Sequence, residues 1–129
     1  MKFFIDCCLP IQFARALSLL DQDNTIEHLL DKYKPDTLDV VWLRDLGKER
    51  VYNVVSRDDF RKSDEEKRAV RENANAVFIL AGGYRHMKLW DLAQKVVGWW
   101  PRFIETSAKA KPGQCFRVPT KGAKLEEIP

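Results

Sequence analysis

Three aspartates stand where a folded α/β chain could bring their carboxylates together, namely Asp6, Asp39 and Asp58. Asp6 follows the apolar run Phe3–Ile5, which is too short for a helix and typical of a buried strand. Asp58 follows a run of β-branched residues, and Asp39 stands where a helix is predicted to begin. Converging carboxylates repel one another unless a proton or a cation compensates their charge. We therefore predict a site for Mg²⁺ or Mn²⁺, the hard cations that prefer oxygen ligands.

Such a site is suited to the chemistry of phosphate esters. A divalent cation held by acidic side chains activates water and stabilises the charge that develops on a phosphoryl oxygen. Each acid also has a structural explanation, because Asp39 lies three residues after Asp36 near a helix start, and Asp58 is of a type common in turns. Asp6 stands four residues before Pro10, too early to cap a helix that begins there. The prediction therefore depends on the three acids together.

The composition predicts one globular domain with a substantial core, since 45% of the 129 residues are hydrophobic and 32% are charged. The 22 basic and 19 acidic residues leave a net charge of +3, too small to indicate nucleic-acid binding or to exclude it. Three cysteines, two of them adjacent, favour a reducing compartment over a disulfide framework. Asp6 and Pro10 interrupt the first apolar run, which argues against a signal peptide or a membrane span. We expect a cytoplasmic protein.

The elements that would position the acids alternate between strands and helices. This alternation predicts a single three-layer α/β/α domain over residues 1–129, with a mostly parallel central sheet and right-handed crossovers. The tail from about residue 119 is expected to be loosely held. The predicted strands are 3–5, 25–30 (a helical turn being the alternative), 51–55, 76–81 and 115–118, and the predicted helices are 11–20, 40–46, a charged helix capped by Ser63 and reaching about 73, and a long helix over 89–104.

Three segments together resemble the PIN-like domains of VapC-type toxin–antitoxin ribonucleases from bacteria. They are Phe3–Pro10, Asp39–Leu43 and Val54–Phe60, and the resemblance covers the chain from residue 3 to about 80. In that family a first strand delivers one acid, a helix N-terminus delivers the second, and a hydroxyl-x-Asp turn after a later strand delivers the third. The order and the spacing, rather than any single motif, make the resemblance.

The resemblance implies roles for individual residues. Asp6, Asp39 and Asp58 would be the catalytic residues and the ligands of Mg²⁺ or Mn²⁺, and Ser56 would be the family's hydroxyl residue. Crowding of the acids predicts that at least one carboxylate has a raised pKa in the metal-free protein.

Some members of that family carry a further acid near the later strands, and residues 81–85 offer none here. Glu66 is a candidate substitute, although its position three residues after Ser63 predicts a capping role more simply. Asp59 is an accessory candidate beside the third acid. The missing acid favours an alternative function, that of a catalytically inactive PIN-like module that binds other proteins.

The implied activity is that of a metal-dependent endoribonuclease that hydrolyses phosphodiester bonds of RNA, as the toxin of a toxin–antitoxin pair. The implied partners are RNA and an antitoxin protein; a homodimer is left open, and no membrane is expected. Exposed Trp99 and Tyr84 would suit an amphipathic segment of a partner. Basic side chains near the site could hold a phosphate backbone, with a solvated basic surface as the equal alternative. They are Arg57, Arg61, Lys62, Arg85, His86 and Lys88.

Overall fold

The computed structural model describes all 129 residues as one six-stranded sheet with five α-helices. The strands are β1 (Lys2–Ile5), β2 (Thr25–His28), β3 (Tyr52–Ser56), β4 (Val77–Ile79), β5 (Cys115–Arg117) and β6 (Glu126–Ile128). The helices are α1 (Ile11–Leu20), α2 (Leu29–Lys32), α3 (Asp39–Gly47), α4 (Asp64–Asn73) and α5 (Leu89–Lys109), and a 3₁₀ turn covers Gly82–Tyr84.

The sheet has the strand order β2-β1-β3-β4-β5-β6, in which the first five strands are parallel and β6 is antiparallel to β5. This confirms the prediction of an α/β fold with a mostly parallel sheet. Ile5 at the end of β1 lies opposite Val55 of β3, and the Asp6 N–H donates to the Val55 carbonyl at 3.0 Å. Because parallel strands share one carboxyl edge, the residues that follow β1 and β3 meet there.

Helices cover both faces of the sheet, which gives the three layers. Alternate side chains of β1 point to opposite faces. Phe3 joins the core that contains α1 and α5, where its ring centroid lies 4.6 Å from that of Trp100. Phe4 joins the core that contains α3 and α4, where it stacks on Trp42 at 5.0 Å. Full burial of such a side chain stabilises the fold by about 1.5–3 kcal/mol, so both helix layers are held firmly against β1.

Helices α3 and α4 approach each other closely at a glycine. A Cβ atom on Gly47 would lie 2.0 Å from the Asn73 side-chain oxygen, so no larger residue fits at this contact without movement. The start of α4 agrees with the sequence, because the Ser63 hydroxyl accepts a hydrogen bond from the Glu66 N–H at 3.1 Å. This close contact joins the C-terminal ends of the two helices.

Two segments differ from their sequence-based predictions. Residues 25–30 contain both of the alternatives, a strand followed by the first turn of α2. The C-terminal tail is not wholly loose, because its last residues pair with β5 as β6, and the Arg71 guanidinium donates to the carbonyl of Pro129. Strands β2 and β6 form through pairing with β1 and β5, which local sequence preference does not report.

The prediction of exposed aromatic residues at Trp99 and Tyr84 is wrong. Trp99 is only 5% exposed and packs in the α5 core, with the Arg102 guanidinium 5.2 Å from its ring centroid. Tyr84 is fully buried, and its hydroxyl donates to the Pro119 carbonyl at 2.6 Å. The apolar face of α5 is wide enough to include Trp99 beside Trp100. None of the helices combines the length and the apolar character needed to cross a membrane.

Candidate metal centre

Asp6 occupies the position directly after β1, where its carboxylate is buried and fully hydrogen-bonded. One oxygen accepts from the Cys7 N–H at 2.7 Å, and the other accepts from the Ser56 hydroxyl at 2.6 Å. The side chain is 4% exposed. A buried carboxylate is tolerated when donors of this kind surround it. Asp6 is therefore fixed between β1 and β3.

Asp58 lies in the turn after β3, which is built by two side chains that bond to the backbone ahead of them. The Ser56 hydroxyl accepts from the Asp58 N–H at 2.9 Å, and the Asp58 carboxylate accepts from the Phe60 N–H at 2.9 Å. Phe60 adopts a left-handed φ of 57°, which is strained for a bulky residue. Its ring is buried against Trp42 at 6.0 Å, and this packing offsets the strain. The turn aims Asp58 at α3.

The other two acids come from helix N-termini. Asp39 is the first residue of α3, and its carboxylate accepts from the Trp42 indole N–H at 3.0 Å. Glu66 lies in the first turn of α4 and is buried, with its carboxylate accepting from the Lys62 N–H at 3.4 Å. Ser63 caps the helix, but the Glu66 side chain faces the other acids and takes its backbone donor from Lys62.

These positions bring Asp39, Asp58 and Glu66 into one group, which we call the acid cluster. One carboxylate oxygen from each lies within 4.8 Å of the others, while Asp6 stands beside this group, engaged by Ser56. The pKa of Asp39 is raised to about 6, first by burial and then by the charges of Asp6, Asp58 and Glu66, while the hydrogen bond from the Trp42 indole acts in the opposite direction. The predicted rise in the pKa of at least one acid is confirmed.

The acid cluster fits a hard divalent cation. Its three donors are all carboxylate oxygens, the ligands that Mg²⁺ and Mn²⁺ prefer. The one cationic side chain paired with it is Lys62, whose ammonium lies 3.5 Å from Asp58 and is 74% exposed. The charge of Asp58 raises the pKa of Lys62. A single exposed ammonium leaves most of the negative charge uncompensated, which is the condition that a bound cation relieves.

The sequence matches the PIN-like domain family over residues 1–82, which include Asp6 and the acid cluster. The chain belongs to the PIN-like domain family. PIN-like domains are usually nucleases, and these nucleases generally use divalent metals. No curated protein and no solved structure matches the chain. The family thus agrees with the chemistry of the acid cluster.

Two residues predicted to serve this PIN-like site, the accessory acid Asp59 and the RNA-binding candidate Arg57, make other contacts in the structure. Asp59 accepts from the Arg61 N–H at 3.2 Å and lines a separate small cleft beside β5. Arg57 donates through its guanidinium to the carbonyls of Cys8 and Tyr84, the latter at 3.4 Å, so it joins the loops after β1 and β4. The other predicted basic residues are exposed; they are Arg61, Lys62, Arg85, His86 and Lys88.

Glu66 is the residue whose place in the PIN-like site sequence reasoning underrated. Its position three residues after Ser63 already accounted for an acid there as part of a helix cap. That account overlooked that α4 begins only a few residues after Asp58. A helix that starts so close to a site acid must place its first turn near that acid. The short connection was the signal that pointed to Glu66.

Proposed function

We propose that this protein is a metal-dependent endoribonuclease that hydrolyses phosphodiester bonds in RNA. The convergence of Asp39, Asp58 and Glu66 within 4.8 Å, at the carboxyl edge of a PIN-like domain, is the observation that supports it. These three side chains would hold Mg²⁺ or Mn²⁺. A divalent cation in such a site supplies Lewis-acid stabilisation of the charge that develops on phosphoryl oxygens.

The remaining residues of the site orient the acids and meet the substrate. Asp6 receives the Ser56 hydroxyl and keeps the ends of β1 and β3 together behind the acid cluster. Asp39, with its pKa raised to about 6, takes up and releases a proton near neutral pH when no cation is bound. Lys62, exposed at the entrance beside Asp58, binds a phosphate oxygen of the RNA.

Cleavage of labelled single-stranded RNA with Mg²⁺ or Mn²⁺, and with a chelator as the blank, tests the proposal. We expect metal-dependent cleavage that Asp39→Asn, Asp58→Asn and Glu66→Gln each abolish. Asp59→Asn is the matched control, because it removes a neighbouring acid that lies outside the acid cluster. Cleavage that persists in all the variants would mean that the activity does not come from this site.

Metal binding is tested separately by thermal unfolding. Mn²⁺ should raise the melting temperature of the parent and of Asp59→Asn but not that of Asp39→Asn, since a ligand that binds only the folded state stabilises it. If Mn²⁺ leaves the parent unchanged and no RNA is cleaved, the alternative of a catalytically inactive interaction module is favoured instead.

We also propose that the enzyme is the toxin of a cytoplasmic toxin–antitoxin pair. A nuclease that cleaves cellular RNA has to be restrained, and a partner segment that covers the acid cluster would do so. Expression of the parent alone should arrest growth, expression of Asp39→Asn should not, and co-expression with the product of the adjacent gene should restore growth. Arrest that the adjacent product fails to relieve, with no complex on purification, would contradict the toxin role.

A further inference from the structure

Trp90 is the one tryptophan of this protein that faces solvent. It is 80% exposed, whereas Trp42, Trp99 and Trp100 are buried. It lies at the start of α5, where its ring packs in neither of the two cores. An indole left in water without a structural contact is available for a binding partner.

The segment that presents Trp90 lies at the carboxyl edge of the sheet and is firmly anchored. It follows β4, which is parallel to β3, so it leaves the sheet on the same edge as Asp58. Tyr84 is buried within it, and the Arg57 guanidinium donates to the Tyr84 carbonyl at 3.4 Å. Gly83 packs so closely on Thr120 that a Cβ atom there would lie 2.9 Å from that side chain. The anchors hold the segment beside the turn that carries Asp58.

Exposed basic residues precede the indole along the chain, and the exposed Asp91 follows it directly. Arg85, His86 and Lys88 are exposed, and none of the ion pairs in the structure includes them. An exposed aromatic ring in the same short segment as two unpaired cationic side chains, Arg85 and Lys88, matches the chemistry of single-stranded nucleic acid, whose bases stack and whose phosphates are anionic. A duplex would not fit as well, because its base faces are already stacked inside the helix.

We propose that Trp90 is a stacking platform for one base of single-stranded RNA, while Arg85 and Lys88 hold the adjoining phosphates. The proposal rests on the proposed ribonuclease function. It extends that function by naming what the protein recognises beyond the cleaved bond, namely an unpaired base and the phosphates next to it. The family match ends at residue 82, so the platform lies in a part of the chain that the match does not cover. Stacking accepts any base, so this contact selects for single strands rather than for a sequence.

Two ligands that carry the same phosphates, one with bases and one without, distinguish base stacking from charge attraction in a binding assay. The ligands are a fluorescein-labelled oligouridine and an abasic oligonucleotide of equal length, titrated into full-length Asp39→Asn, which serves as the cleavage-deficient background. Adding Trp90→Ala should weaken binding of the oligouridine about 5- to 30-fold and leave the abasic ligand unchanged. Trp90→Phe should retain part of the affinity. Leu19→Ala, which removes an apolar side chain that is 76% exposed at the end of α1, is the matched control and should change neither affinity.

The basic side chains should behave differently from the indole. Arg85→Ala and Lys88→Ala should each weaken both ligands and lower the slope of log affinity against log salt by about 0.7, the value for one phosphate contact on a single strand. If Asp39→Asn binds oligouridine equally well with and without Trp90→Ala, the stacking platform is wrong. This holds even if Trp90 proves to contact a protein. An equal loss for both ligands would overturn the platform too.

The two proposals fail in distinguishable ways. If the parent cleaves RNA with metal and Trp90→Ala binds oligouridine as well as its background does, only the stacking platform is wrong. If the parent neither binds nor cleaves RNA, the ribonuclease function is wrong and the platform is wrong with it.

Discussion

A single hydroxyl joins two of the site's acids. The Ser56 hydroxyl donates to the Asp6 carboxylate at 2.6 Å and accepts from the Asp58 N–H at 2.9 Å, with the Cys8 sulfur 3.3 Å away. These hydrogen bonds lie at the ends of β1 and β3, where Ser56 is fully buried. The Ser56 hydroxyl therefore orients the buried Asp6 carboxylate and also shapes the turn that positions Asp58.

Ser56→Ala should lower the free energy of unfolding by about 1–3 kcal/mol, because it leaves a buried carboxylate oxygen without its donor. Metal-dependent RNA cleavage should fall as well, since the turn at Asp58 loses its first hydrogen bond. Urea unfolding and a cleavage assay measure the two effects. Ser56→Thr keeps the hydroxyl and is the control; an alanine variant as stable as the threonine variant would contradict this role.

Asp39 should make the stability of the metal-free protein depend on pH. Its pKa in the folded protein is about 6, against 3.8 ordinarily, so folding favours the protonated form. That contribution is present below pH 4 and is lost as the pH rises through 6. Asp39→Asn keeps an acceptor for the Trp42 indole and removes the charge. At pH 8 without metal, the free energy of unfolding of this variant should exceed that of the parent by about 1 kcal/mol. The full pKa shift corresponds to ~3 kcal/mol, and partial exposure of Asp39 to solvent reduces this value.

Urea unfolding at pH 4 and at pH 8 measures this difference, which should disappear at the lower pH. Adding Mn²⁺ at pH 8 should reverse the order of stability, because a cation favours the ionised carboxylate that only the parent has. A difference of the same size at both pH values would contradict the assignment of the charge to Asp39.

At the scale of elements, the packing of α3 on α4 sets the distances within the acid cluster. Asp39 and Glu66 lie in the first turns of these two helices, so any shift of one helix moves one acid relative to the other. Gly47, the last residue of α3, packs tightly against Asn73, the last residue of α4. We therefore expect the distance between the Asp39 and Glu66 carboxylates to depend on the packing at this glycine, at the C-terminal end of α3.

Gly47→Ala should destabilise the fold by about 1–3 kcal/mol, the usual cost of forcing atoms into a packed contact. It should also reduce the rise in melting temperature that Mn²⁺ produces. Gly98→Ala in α5 is the matched control, because nothing lies within 4 Å of the added methyl group, and it should raise stability by up to about 1 kcal/mol through helix propensity. Equal effects of the two substitutions on thermal unfolding would contradict the packing argument.

The sequence predicted elements well where one physical signal dominated. The apolar runs before Asp6 and at Val77–Ile79 are buried strands, and the Ser63 cap begins α4 as expected. Arguments from strand ends therefore located Asp6 and Asp58. The polar strand β6 could not be predicted, because pairing with β5 decides it. The short connection from Asp58 to α4 indicated that Glu66 lies near the site, but only the folded structure shows its carboxylate beside Asp39 and Asp58.

At the scale of the whole molecule, β6 closes one edge of the sheet. It covers β5, whose Phe116 belongs to the core, and the Arg71 guanidinium binds the carbonyl of Pro129 next to it. Edge strands left uncovered tend to pair with other chains. A strand of three residues thus occupies the hydrogen-bonding edge of β5.

Removal of residues 126–129 should lower the melting temperature and promote aggregation, since it uncovers the backbone of β5. Light scattering on heating and gel filtration measure these effects. Glu126→Ala is the control, because it keeps the backbone pairing and removes only a side chain that is exposed in β6. A truncated protein that keeps the elution volume and the melting temperature of the parent would show that β6 does not protect the edge.

The order of the acids and helices along the chain has a consequence for folding during synthesis. Asp6 and the acid cluster all lie within the first 66 residues, whereas Trp100 and Phe103, which pack over the other face of the sheet, come later in the chain. A ribosome therefore releases every acid before it releases the helix that covers Phe3 and Ile5. Domains generally fold as units, so the acids of a nascent chain stay unassembled until that helix arrives. Synthesis of the chain through α5 thus sets the earliest moment at which the acid cluster can form.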